Sequence, residues 1–186
     1  MDTIIEKAKQ LFLKSIDNFG SDPYRLKTHV PEVERWAKYL LTKYKADKEI
    51  VLISVWFHDI GHYPLPYNED HAIRSEKIAK QFLENNNYTK TKEVLHCIRA
   101  HRCNDIPPET IEAKIVAFCD SASHITDPVY FNMAKDFKIE NRKGVIDKIK
   151  RDYRDLGFFP EIQQELKPLV ESWENLIKIY EQIDFI

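Results

Sequence analysis

Residues 51–57, VLISVWF, are seven consecutive positions interrupted by one small hydroxyl, Ser54. A segment apolar on every side has to be surrounded, so the rest of the chain must supply partners for all of its faces. Those partners repeat at helical spacing. Ile4, Ile5, Ala8, Leu11, Phe12, Ser15 and Phe19 form one stripe, and Val33, Trp36, Ala37, Leu40, Leu41 and Tyr44 another. No alternating stretch offers a partner strand, so residues 48–59 are predicted to be a short central helix, with a buried strand as the alternative. Glycine is scarce, 4 in 186 residues. The predicted fold class is all-α, a helical bundle.

The remaining punctuation fits that scheme. Gly20 stops the first helix, Ile4–Phe19. Pro23 can open the second, and Pro31 is expected to kink or break it between residues 29 and 31. Gly61 reads as the C-terminal stop of the central helix, and residues 63–70 as a loop. Helices are expected over 71–84, 89–102, 110–126, 139–156 and 161–183, with a turn at 105–108 and a break at Asp127-Pro128. The last helix carries Ile162, Leu166, Leu169, Val170, Trp173, Leu176, Ile177 and Tyr180 on one face. It completes the core or serves a homodimer, so monomer and homodimer both stay open. Neither repeat nor linker interrupts the chain, which predicts one domain over 1–186 with its motif-bearing part at about 24–126.

Composition narrows the function. The 28 basic and 30 acidic residues leave a formal charge of −2, which gives no general pull toward a nucleic acid polymer or an anionic membrane. No apolar run approaches the roughly 18 residues of a membrane span. The first residues, MDTIIEKAKQLF, are charged throughout and lack an apolar signal core. Three cysteines, Cys97, Cys103 and Cys119, show no framework spacing and are expected to be reduced thiols of a cytoplasmic protein.

All seven histidines, His29, His58, His62, His71, His96, His101 and His124, fall between residues 29 and 124. His58-Asp59 closes the central helix, where the dipole favours a cation and disfavours a carboxylate. A divalent metal resolves that conflict; the alternative is a His–Asp pair bonded to backbone. His29 precedes the inward face of Val33 and Trp36, and His101 shares the face of Val94 and Ile98. Either could be a core histidine. His96 lies on a different side of its helix. Asp120 shares a face with Ala113, Val116, Ala117 and His124, and its alternative is an ion pair with an arginine. His71 opens its helix, where an exposed cap histidine is the bland reading. A bundle nevertheless brings such side chains together at its centre.

The order His29 in THVPEVERWA, His58-Asp59 in FHDIGH and Asp120 in VAFCDSASHI resembles the HD-domain superfamily of metal-dependent phosphohydrolases, over about residues 24–126. The resemblance implies that His29, His58, Asp59 and Asp120 hold one metal. His71 in EDHAIRS and His101 in IRAHR resemble the added histidines of binuclear members. They imply a second metal, with Asp59 bridging. The GYP signature of cyclic-di-nucleotide phosphodiesterases is missing, and the segments around the HD pair do not assign the dNTP triphosphohydrolase branch. The small single-domain bacterial-type phosphohydrolases are the nearest group.

Two divalent ions against two aspartates leave such a site net positive and suited to anions. The expected function is hydrolysis of a phosphate ester or pyrophosphate bond by a metal-activated hydroxide, in a small phosphorylated metabolite of the nucleotide kind. Nitrogen and oxygen ligands suit one or two ions of Mn, Fe, Co, Ni or Zn, and Mg less well. His62, just past Gly61, is a catalytic candidate beside Asp59, as a proton donor or to steady the hydroxide. Arg25, Arg74, Arg102 and His124 are candidates for substrate contact. Tyr63, Tyr67, Tyr130 and Phe131 could line a pocket or belong to the core. Two alternatives remain open: a di-iron oxygenase with ligands in this order, and a ligand-binding module without catalysis.

Overall fold

A computed structural model describes residues 2–63, 69–136 and 142–182. Most of the expected 63–70 loop, Tyr67 included, the start of the expected 139–156 helix and the last residue of the expected 161–183 helix lie outside the described residues. Among the described residues there are α-helices and no strands. The chain divides into two compact units, Met1–Cys119 and Asp120–Ile186.

The first unit is built around α3. Helix α1 spans Ile4–Phe19, α2 Leu26–Lys43 and α3 Lys48–Phe57. A 3-10 turn, Ile60–His62, follows, then α4 at His71–Asn85, α5 at Thr91–Ala100 and the first part of α6, Ile111–Thr126. Every residue of α3 from Ile50 to Phe57 is buried. The apolar run is thus a helix, packed against α1, α2, α4 and α5. Its one hydroxyl is satisfied within the helix, Ser54 Oγ donating to Ile50 O at 2.8 Å. Trp56 receives the edge of Phe12 from α1, centroids 5.5 Å apart, and donates Nε1–H to Glu34 of α2 at 3.2 Å. Asp47 starts α3 by accepting from the N–H groups of Glu49 and Ile50.

The stops behave in two ways. Gly20 ends α1 in the left-handed conformation, φ +81, as the sequence predicts. The break expected at Pro31 does not occur, since α2 runs unbroken through it. Pro31 sits only in the second turn, where the ring removes one N–H and leaves the carbonyl of the exposed Lys27 to solvent. Pro23 does not open α2. Asp22 accepts from the N–H groups of Leu26 and Lys27, each at 2.8 Å, and the helix begins at Leu26.

The second unit contains the end of α6, α7 at Val129–Asp136, α8 at Arg142–Asp155, a 3-10 turn Leu156–Phe158 and α9 at Pro160–Glu181. Val145, Ile149, Leu156, Phe159, Ile162, Val170 and Ile177 are buried. Leu169, expected on the inner face of α9, is 39% exposed, so that face is narrower than its apolar pattern. One polar cluster sits inside. Asp152 accepts from Tyr130 Oη at 2.5 Å and from Lys148 Nζ at 2.9 and 3.0 Å. Burial pushes the Asp152 carboxyl up, but His124, Lys148 and Tyr130 together hold it below its ordinary range. Its folded pKa is therefore lower than its unfolded one. The stabilisation is present above about pH 4 and fades as pH falls further. Asp152→Asn is expected to lose about 1–3 kcal/mol at pH 7 and distinctly less at pH 3, read from urea midpoints. A loss independent of pH would contradict the assignment.

Candidate metal centre

Helix α3 ends at Phe57, two residues before the expected 59, and this ending shapes the site. His58 still has helical dihedrals, whereas Asp59 at φ −113, ψ 4 lies near the sparsely populated bridge region. His58 is completely buried, and Asp59, His29 and His101 nearly so.

The Asp59 carboxylate is ringed by imidazoles that divide between its two oxygens. Oδ2 lies 3.5 Å from Nε2 of His29 and 3.5 Å from Nε2 of His58. Oδ1 lies 3.3 Å from Nε2 of His71 and 3.7 Å from Nε2 of both His62 and His101. The rings come from separate elements: His29 from α2, His58 from the end of α3, His62 from the 3-10 turn, His71 from the first residue of α4 and His101 from the end of α5.

Backbone contacts fix two of the ring orientations. His58 Nδ1–H donates to Val55 O at 2.8 Å, and His101 Nδ1–H donates to Ile98 O at 2.6 Å. In the neutral rings each Nε2 then presents a lone pair, and both face the carboxylate. His58 Nε2 also stands 3.3 Å from His29 Nε2. A proton on His29 or a cation between the two rings satisfies the lone pair of His58. The spacing suits a metal ion. Two ligands each about 2.1 Å from a tetrahedral centre lie about 3.4 Å apart, and the His29–His58–Oδ2 triangle has edges of 3.3, 3.5 and 3.5 Å. On the other oxygen, Asp59, His62 and His71 form a second group whose ligand atoms lie within 4.8 Å of one another. The donor set of imidazole and carboxylate fits a transition ion.

The electrostatics agree. Burial pushes the Asp59 carboxyl up, yet His58, His62 and His71 hold it well below the usual carboxylate range, so it carries its charge. Burial lowers the His62 imidazole to about 4, with His71 adding to the drop and Asp59 opposing it. An imidazole lowered this far is uncharged at neutral pH and offers a lone pair. His62 stacks on His71 at 4.1 Å, and because its ligand atom groups with those of Asp59 and His71 it belongs among the ligand candidates.

Two contacts hold the second histidine set. Gly61 N–H donates to Ser75 Oγ at 2.9 Å, which pins the 3-10 turn to α4. A Cβ at Gly61 would lie 2.2 Å from His71 O. Gly61 is thus needed for close approach to α4, a correction to its reading as the stop of α3. Asp70 caps α4 by accepting from Ala72 N at 2.8 Å, and Arg102 donates to the same carboxylate. Arg102, a substrate candidate from sequence, therefore braces the helix that begins with His71.

The other candidates are placed as follows. Arg25 is exposed at the start of α2 with φ +56, and Arg74 is half-buried with its charge acting on His62. Asp120 and His124 lie one turn apart on α6 in the second unit, 3.7 Å between carboxylate and Nε2, and His124 Nδ1 is 3.2 Å from Lys148 Nζ. His96 accepts from Glu109 N–H at 3.2 Å, consistent with its exclusion. Of the tyrosines considered, Tyr63 and Tyr130 are buried. Tyr24 was not singled out, although its ring lies 4.4 Å from His62; no spacing in the sequence relates residues so far apart.

The family profile described as "HD domain" matches residues 26–124. The chain is 29% identical over 96 residues to Ribonuclease Y of Salinispora arenicola (strain CNS-205), an alignment covering 51% of this chain and 15% of that protein. No solved structure matches the chain.

Proposed function

The chain belongs to the HD-domain family, and from that premise we propose that it hydrolyses a phosphate ester or pyrophosphate bond in a small phosphorylated metabolite. The carrying observation is the Asp59 carboxylate, whose two oxygens each face a different set of imidazoles. We assign one divalent ion to His29, His58 and Asp59, and a second to Asp59, His71 and His101. When bound, such ions stabilise charge on phosphoryl oxygens and make water acidic enough to attack at neutral pH. The chain's own groups supply the rest. Neutral His62, beside Asp59, accepts a proton or joins the second ligand set. Arg25 and Arg74 meet the non-bridging phosphate oxygens. His124, one turn past Asp120, orients that carboxylate.

The formal charge of −2 favours a small substrate over a polyanion. The test is phosphate release by manganese- or cobalt-loaded protein from a panel of small phosphate esters and pyrophosphates, with a short RNA alongside. Chelator-sensitive release from a small ester is expected. No release from any of them, or cleavage of RNA alone, would refute the proposal.

A further inference from the structure

Residues 22–25 lead into α2 in a conformation held by one carboxylate. Asp22 Oδ1 accepts from Leu26 N–H at 2.8 Å and from Tyr63 Oη–H at 2.9 Å, and Oδ2 accepts from Lys27 N–H at 2.8 Å. Tyr24 N–H donates to Tyr63 Oη at 3.3 Å. Within this strap Arg25 adopts φ +56, a left-handed conformation uncommon for a residue with a Cβ. Strain kept in place by surrounding bonds marks a segment whose side chains need a fixed position. The strap fixes one of them, the Tyr24 ring, beside the metal centre. The Tyr24 ring lies 4.4 Å from the His62 ring at 37° yet is 45% exposed. His62 in turn has Nε2 3.7 Å from Asp59 Oδ1. Arg25, the next residue, is exposed.

We propose that Tyr24 is the platform on which a nucleobase stacks, so that the substrate of this centre is a nucleoside phosphate. The proposal rests on the phosphohydrolase reading above and narrows its substrate class. An exposed aromatic ring held one ring away from the proposed metal ligands presents a flat apolar surface, and stacking on it tolerates any base because every base has a π face. The phosphate then reaches toward Asp59, through His62 the nearest part of the centre to the Tyr24 ring.

Binding to the manganese-loaded protein, read by calorimetry, tests this with two non-hydrolysable probes: the 5′-phosphonate analogue of adenosine monophosphate and the matching ribose phosphonate without a base. The adenosine probe is expected to bind about tenfold tighter or more, the range for one base–aromatic stack. Tyr24→Ala is expected to erase that ratio with metal content unchanged, and Tyr24→Phe to retain it. Equal affinities in the unmodified protein, binding of neither probe, or a Tyr24→Ala variant that weakens both probes alike would overturn the platform. Phosphate release from ribose 5-phosphate separates the two readings. Release without a base-dependent ratio leaves the hydrolase standing and removes the platform. A base-dependent ratio without release from any nucleotide removes the hydrolase and keeps the platform.

Discussion

Gly61→Ala is expected to destabilise the protein by about 3 kcal/mol or more and to release the ion on the His71 side of the centre. The added methyl would sit 2.2 Å from His71 O, 2.6 Å from Ser75 N and 2.8 Å from Ser75 Oγ. Two of those atoms are backbone and cannot swing aside. Helix α4 must move, and overpacking of this kind costs about 1–3 kcal/mol. The Gly61–Ser75 hydrogen bond goes with it, about 1 kcal/mol more. Because His71 is the first residue of α4, its imidazole leaves Asp59 Oδ1, while His29 and His58 are carried by α2 and α3. Gly144→Ala supplies the contrast. Nothing lies within 4 Å of a Cβ there, at an exposed position of α8, so it is expected to stabilise by about 0.5–1 kcal/mol. Urea midpoints and metal analysis of both variants would check the pair. A Gly61→Ala protein as stable as its parent would show that α4 yields easily and that the close approach does not position His71.

Asp59→Asn is expected to abolish retention of both ions and to lower any metal-dependent turnover by about a thousandfold. The amide has the shape of the carboxylate, so packing around α3 survives and far-UV circular dichroism should not change. What goes is the charge that the surrounding imidazoles hold on Asp59 and one of the two oxygens that face them. Metal-derived charge stabilisation is worth several kcal/mol, and each 1.36 kcal/mol is tenfold in rate. An Asp59→Asn protein that keeps both ions would place the metal ligands elsewhere.

Much of this was legible in the amino-acid sequence because helices announce themselves by period. The stripes of α1 and α2, the all-apolar α3 and the stop at Gly20 follow from local spacing and φ preference. The His58-Asp59 pair was visible as well, a carboxylate just past a buried helix end that a metal ion or a His–Asp pair bonded to backbone would each explain. Local rules failed where the reason was tertiary. Gly61 looks like punctuation in one dimension, and only α4 lying against it shows that the missing Cβ is what matters. Arg102 is one of three arginine candidates for phosphate contact by sequence, and its bond to Asp70, 32 residues away, has no local signal. Tyr130, Lys148 and Asp152 gave no sign that they would meet, because a buried polar cluster has no period. The Pro31 break failed for a local reason, a proline tolerated early in a helix.

The division of the Asp59 oxygens between two histidine sets is the centre of this account. Elemental analysis of protein saturated with manganese or cobalt and then desalted addresses it, with His29→Ala and His71→Ala measured alongside. Two ions are expected in the unmodified chain and one in each variant, on opposite sides of Asp59. A chain that takes up at most one ion, or variants that both keep two, would contradict it.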